Sequence, residues 1–232
     1  MSVLFPKWLN LLPTVVALGG AGAGLVVPVG VWYYATPDFF EVGYMPNQPG
    51  SGFNHQIHAG KLGMDCRYCH THVEESPEAN VPNVATCIGC HAETRLSNQV
   101  VPDEKVAFIR TAYAGDESVS WRRVHKLPDY VRNFPHHVHL KAGVSCYSCH
   151  GQITSMPIVA QNQGLGMGWC LKCHRNPEPN MVPPEKATDL RWVENTWMQT
   201  PVKQREYHGT TPEGLVKALR EKPPQNCGYC HH

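Results

Sequence analysis

Residues 53–70 read FNHQIHAGKLGMDCRYCH, and this stretch decides how the rest of the chain is built. It ends in Cys66-Arg67-Tyr68-Cys69-His70, the C-x-x-C-H spacing of covalent c-type haem attachment. Two thiols separated by two residues can each form a thioether to one haem vinyl. The histidine that follows, His70, is then held under the ring as the proximal iron ligand. Upstream, Phe53-x-His55-x-x-His58 sets two imidazoles at i and i+3, on one side of a helical turn. A haem whose proximal side is taken accepts one more axial ligand. His55 and His58 are therefore expected to serve two different haems and clamp them together.

The same pattern recurs at Cys87-Cys90-His91, Cys146-Cys149-His150, Cys170-Cys173-His174 and Cys227-Cys230-His231. Five motifs use all ten cysteines. Paired zinc knuckles are the competing reading, but five cysteine pairs do not divide into four-cysteine sites. A disulfide framework would not require a histidine after every pair. Five covalently attached haem c groups are expected, which places the domain outside the cytoplasm, where thioethers to haem are made.

The totals narrow the field further. A net charge of +1 and a pI near 7.6 give no strong field, so no nucleic-acid partner is expected. Glycine and proline together make up 40 of 232 residues, favouring turns over long elements. The expected fold is a mostly irregular, small-helix multihaem cytochrome. One N-terminal transmembrane helix precedes a loop-rich domain whose short helices pack around the haems. Residues 53–232 leave only about 36 residues per haem, too few for a large apolar core, so the porphyrins would supply most of the buried apolar surface.

No charged residue falls between Lys7 and Asp38, and the apolar run from Trp8 to Tyr34 is long enough to cross a bilayer. Trp8 stands at one end and Trp32, Tyr33 and Tyr34 at the other, as interfacial aromatics do. The run exceeds the roughly 7–15 apolar residues of a signal peptide, and the chain begins at Met1, so an uncleaved anchor is expected over 1–36. Lys7 before it and Asp38 and Glu41 after it set the N-terminus inside and the rest outside. Gly20-x-x-x-Gly24 would let another membrane helix approach closely. Residues 37–52 read as a linker.

The haem domain is internally duplicated. A two-haem module over 53–92 is repeated over 134–174, where Phe134-x-His136-x-x-His139 mirrors the first clamp. Between them Asp103–Tyr113 reads as a short helix capped by Asp103. Residues 175–210 are proline-rich and irregular. The fifth unit, 211–232, opens with Thr211-Pro212-Glu213, a helix start with cap, proline and early acid. His55, His58, His136 and His139 are the distal candidates for four haems. His137 diverges from its neighbours, and His72 and His232 sit too close to motifs or the terminus to ligate. The fifth distal position is left to His125, Met167, His208 or Met156, with His125 placed first and Met167 next.

The anchor, the duplicated F-x-H-x-x-H plus C-x-x-C-H modules and the fifth motif resemble the pentahaem cytochrome subunit of bacterial alternative complex III. Trp121-Arg-Arg-Val-His125-Lys-Leu-Pro-Asp-Tyr130 and Met167-Gly-Trp-Cys170-Leu-Lys-Cys173-His174 are similar to that family too. The resemblance spans essentially the whole chain, and the anchor, order and count of motifs carry it. It implies a subunit of a quinol-oxidising complex in the inner membrane, single-pass with its haem domain in the periplasm. The implied partners are an iron–sulfur subunit related to molybdopterin enzymes, polytopic quinol-binding subunits and a monohaem cytochrome. A soluble carrier or terminal oxidase would take the electrons.

Two function classes compete on the residues alone. A conductor needs every iron closed by two axial ligands, whereas a catalytic haem needs an open position. In pentahaem nitrite reductases a lysine replaces one motif histidine, and here all five motifs end in histidine. A conductor that is not an enzyme by itself is therefore expected. A multihaem quinol dehydrogenase, or the electron donor of another respiratory reductase, is the alternative.

Overall fold

A 3-10 turn at Lys7–Leu11 leads into helix α1 (Leu12–Ala35), 24 residues and about 36 Å long. Pro13 falls in its first turn, where a missing N–H leaves nothing unsatisfied. Leu12, Val15, Val16, Leu18, Val26 and Val29 are all exposed, so α1 is apolar on every side. Such a helix suits hydrocarbon better than water, and its length and composition are enough to cross a membrane.

The computed structural model describes residues 6–35, 53–95, 102–119, 121, 124–125, 127, 131 and 134–231. Residues 1–5, the expected linker at 37–52, Arg122, Arg123, Lys126, Pro128–Tyr130 and His232 lie outside the described residues, as do the side chains of Trp32, Tyr33 and Tyr34.

Beyond α1 the described residues form short helices and turns, with no strand. Two isolated antiparallel bridges, Val144–Met181 and Tyr207–Thr210, are the only sheet-like pairings among them. The helices are α2 (Cys66–Cys69), α3 (Val84–His91), α4 (Asp103–Ala114), α5 (His136–Lys141), α6 (Cys146–His150), α7 (Met167–Arg175), α8 (Leu190–Trp192) and α9 (Pro212–Ala218). Four of them carry a cysteine motif, and the fifth motif sits on a 3-10 turn at Cys227–Tyr229.

Three of the four attachment helices, α2, α3 and α6, start where polar residues cap them, whereas α7 follows Gly166 without a side-chain cap. Asp65 accepts from the Arg67 N–H, Asn83 from Thr86 and Ser145 from Tyr147, each satisfying an amide the first turn leaves bare. Thr211 caps α9 as expected, accepting from Gly214. The expected cap of α4 is corrected. Pro102 holds the cap position, and Asp103 lies inside the first turn, paired at 2.7 Å with Arg110. Asp103 there complements the positive end of the helix.

Residues 176–210 hold the largest polypeptide core. Met181 and Val182, between two 3-10 turns, Leu190 on α8, and Val193 and Trp197 on the π turn that follows are all buried, with Tyr147 and Tyr207 packed alongside. The Trp197 indole donates to the Met181 carbonyl at 2.8 Å. Arg205, also buried, spends its guanidinium on the carbonyls of Thr200 and Pro179. Gly143 sits at φ 93°, where a Cβ would come within 2.8 Å of the Val182 carbonyl oxygen. The close approach lets Val182 donate back to the Gly143 carbonyl at 2.7 Å, tying the second module to this core.

Candidate functional site

The two clamps are built alike. Phe53 stacks on His58 at 4.4 Å and 24°, and meets His55 edge-on at 4.8 Å. Phe134 repeats both contacts, stacking on His139 at 4.3 Å and 24° and meeting His136 at 4.9 Å. The repeated phenylalanine thus fixes the orientation of both histidines in each module. The second clamp is α-helical, whereas the first winds as a π turn over Gln56–Lys61. That turn lies against the Ile153–Ser155 turn so closely that a Cβ on buried Gly60 would overlap the Thr154 carbonyl.

Each clamp points its histidines at different motifs. His58 faces His91 with ring centres 5.9 Å apart, His139 faces His174 at 6.1 Å, and His136 faces His150 at 6.5 Å. His55 has three imidazole neighbours and feels His70 most strongly. Two imidazoles bound to opposite faces of one metal, with metal–nitrogen bonds of about 2 Å, have ring centres roughly 6 Å apart. The three gaps match that spacing.

The hydrogen bonds of the outer nitrogens agree. Nδ1 of His58, His70, His136, His139 and His174 reaches the backbone carbonyl of Asn54, Asn80, Pro77, Pro135 and Pro224, at 2.9, 2.6, 2.6, 3.0 and 2.5 Å. A carbonyl can only accept, so Nδ1 carries the proton and Nε2 keeps its lone pair for a metal. Burial lowers His150 to about 3 and both His55 and His125 to about 4, with neighbouring imidazoles adding to the shift. All three are neutral at physiological pH, the form that ligates.

Burial raises the thiols of Cys69, Cys87, Cys170 and Cys173, whereas Cys66, beside Cys146, is lowered. None of the ten cysteines is in a disulfide. Burial pushes Cys149 up to about 12, far from a reactive thiolate. Among the described residues no three metal-binding side chains converge, as a zinc knuckle would need. In each motif the histidine stays within reach of its cysteines through helical bonding: His70 N–H donates to Cys66 O and His231 N–H to Cys227 O, both at 2.9 Å. The residues present fit haem c. The motif cysteines would hold it and the opposed histidines would ligate its iron. A haem so held supplies one-electron redox chemistry.

The remaining candidates are distributed differently. His125 lies edge-on against His150 at 4.2 Å, too close for opposite faces of one metal and inside the ring cluster with His55 and His136. Trp121 meets Phe53 at 6.2 Å, so this strip spans both clamps. Met167 exposes its side chain at the start of α7. His208 is exposed beside Tyr207. Met156 contributes its carbonyl, which accepts from Gln56 of the first clamp at 3.2 Å. His72 is exposed, and the His137 N–H donates to Ser76. The caps Asp65, Asn83 and Ser145 were not foreseen; a Ser, Asp or Asn just ahead of α2, α3 and α6 was the available signal.

The fold and the opposed histidines together define a class of arrangement: a helical, strand-poor scaffold presenting paired imidazoles beside paired thiols. No family model matches the chain. A curated relative, the multihaem cytochrome c subunit of menaquinone reductase from Nitratidesulfovibrio vulgaris, is 30% identical over 137 residues. The match covers 58% of this chain and 60% of that protein, so the chain spans less than two thirds of the relative's length.

Proposed function

We propose that this chain is a membrane-anchored cytochrome c with five covalent haems that passes electrons within a quinone-linked respiratory complex. The observation that carries the reading is the opposition of clamp and motif histidines at 5.9, 6.1 and 6.5 Å. Residues 1–36 anchor it with the N-terminus inside, and residues 53–232 stand on the periplasmic side. Two axial imidazoles close an iron to substrates, so the chain conducts and partner subunits carry out the quinone chemistry. His125 is the first candidate for the fifth distal ligand and Met167 the second.

The chain's own residues do three things here. The cysteines fix position, the clamps hold two sites one helical turn apart, and the backbone carbonyls set the histidine tautomers. In the direction implied by the resemblance to alternative complex III, electrons run from quinol to a periplasmic carrier or terminal oxidase. A second direction, toward quinone, is favoured by the similarity to a cytochrome subunit of a menaquinone reductase.

Gentle purification from native membranes followed by reduction tests the reading. Quinol added to the oxidised complex should reduce the haems, and quinone added to the reduced complex should reoxidise them if the second direction holds. Haems that respond to neither, in a complex that retains its partner subunits, would contradict the proposal.

A further inference from the structure

We infer that the five haem sites form one unbranched row in the order second, first, third, fourth, fifth, with the motifs at Cys87 and Cys227 at its two ends. The inference rests on the haem reading proposed above and adds the order, which the linear sequence of motifs does not contain.

Four sets of contacts fix the order. Within the first module, His55 and His58 are one turn apart and point to the motifs at Cys66 and Cys87, and the Cys69 thiol lies close enough to Cys87 to interact electrostatically. The two modules meet through their first motifs. Consecutive residues Ala187 and Thr188 hold both caps: the Ser145 hydroxyl donates to the Ala187 carbonyl at 2.6 Å, and the Thr188 hydroxyl donates to Asp65 at 2.9 Å. That staple brings Cys66 and Cys146, each one residue beyond its cap, close enough for their thiols to influence each other. His136 of the second clamp also leans on the first module, through its bond to the Pro77 carbonyl.

Within the second module, His136 and His139 point to the motifs at Cys146 and Cys170, and Cys149 lies near both Cys170 and Cys173. The fifth motif then docks on the fourth. His174 reaches the Pro224 carbonyl just ahead of Cys227, Cys170 interacts with Cys230, and α9 packs on the Glu178–Asn180 turn. Exposure agrees independently. Of the ten cysteines only Cys90 and Cys227 are exposed, and they belong to the two end motifs.

The first module therefore runs backwards in the row, and the third site sits in its middle. Electrons crossing the whole row must pass the Cys66–Cys146 junction, and exchange with partner subunits belongs to the surfaces around Cys90 and Cys227.

Iron positions in the full chain, from anomalous scattering at the iron edge or a cryo-EM map in detergent, test this directly. Five irons are expected, with the second next to the first, the first next to the third, the third next to the fourth and the fourth next to the fifth. In a redox titration, Cys227→Ser with Cys230→Ser should remove one iron and shift the midpoint of one remaining site, the fourth. Five irons in numerical order, or a fifth iron beside the first or second, would overturn the order while leaving the haem reading intact. Fewer than five covalently held irons would overturn the haem reading itself.

Discussion

The ring of His136 stands 6.5 Å from that of His150 and within 10° of parallel, although the two residues come from different helices. Its Nδ1 is tied to the Pro77 carbonyl, which leaves Nε2 as the free donor on that imidazole. His136→Ala should leave every haem attached, because the cysteines do the attaching, and should open one iron of five to carbon monoxide in the reduced protein. An unchanged carbon monoxide titration would contradict the pairing.

His58 and His139 occupy equivalent places, each stacked on a phenylalanine and each opposed to the second motif of its own module. His55→Ala and His58→Ala should therefore disturb different haems, distinguishable as separate spectral components. The same holds for His136→Ala and His139→Ala. Loss of the same component by both members of a pair would count against the clamp.

Ser145 does two jobs from a fully buried position. Its oxygen caps α6, and its hydroxyl satisfies the Ala187 carbonyl. Ser145→Ala removes both, and a buried carbonyl left without a donor costs about 1–3 kcal/mol. A denaturant melt of the holoprotein should show a loss of that size with the haem count unchanged.

Trp197 anchors the proline-rich segment. Trp197→Ala should cost about 3–5 kcal/mol, as large-to-small changes in a core do. Trp197→Phe keeps most of the packing and forfeits the bond to Met181, so its loss should be smaller, about 1–3 kcal/mol. Equal losses in the two variants would mean that packing contributes nothing there.

Asp65 gives a pH signature. Its hydrogen bond from Arg67 leads the effects that hold it near 2, against an ordinary value of 3.8, and Thr188 adds to the depression. A carboxylate depressed in the folded state contributes stability above its unfolded value and loses it as pH falls through the folded one. The contribution is thus present above pH 4 and disappears between about 4 and 2. Asp65→Asn should flatten the stability profile across that window, which acid titration followed by circular dichroism would show.

The apolar N-terminal helix and the cysteine and histidine motifs were legible because they are local. C-x-x-C-H and F-x-H-x-x-H are short patterns whose spacing is dictated by a haem edge and a helical turn, and α1 announces itself by an unbroken apolar run. The core at 176–210 was not legible. Met181, Val182, Leu190, Val193 and Trp197 follow neither a helical nor a strand period, since they are spread over the link between two 3-10 turns, the short helix α8 and the π turn that continues it. The segment reads as irregular and is irregular, yet it is the scaffold the motifs dock on. Nor does sequence show that Thr188 reaches Asp65 across 123 positions, or Ser145 Ala187 across 42. His125 was read as the remaining distal ligand from its position ahead of the second clamp, and the ring neighbour it has there, His150 at 4.2 Å, could not be read from the sequence.

The account stands on one claim, that the ten cysteines hold haem. The intact mass of the chain, taken from membranes of a host that matures c-type cytochromes and followed by thiol alkylation under denaturing conditions, tests it most directly. The predicted result is the polypeptide plus five haems with no cysteine alkylated. Ten alkylated cysteines on a chain of polypeptide mass alone would contradict it.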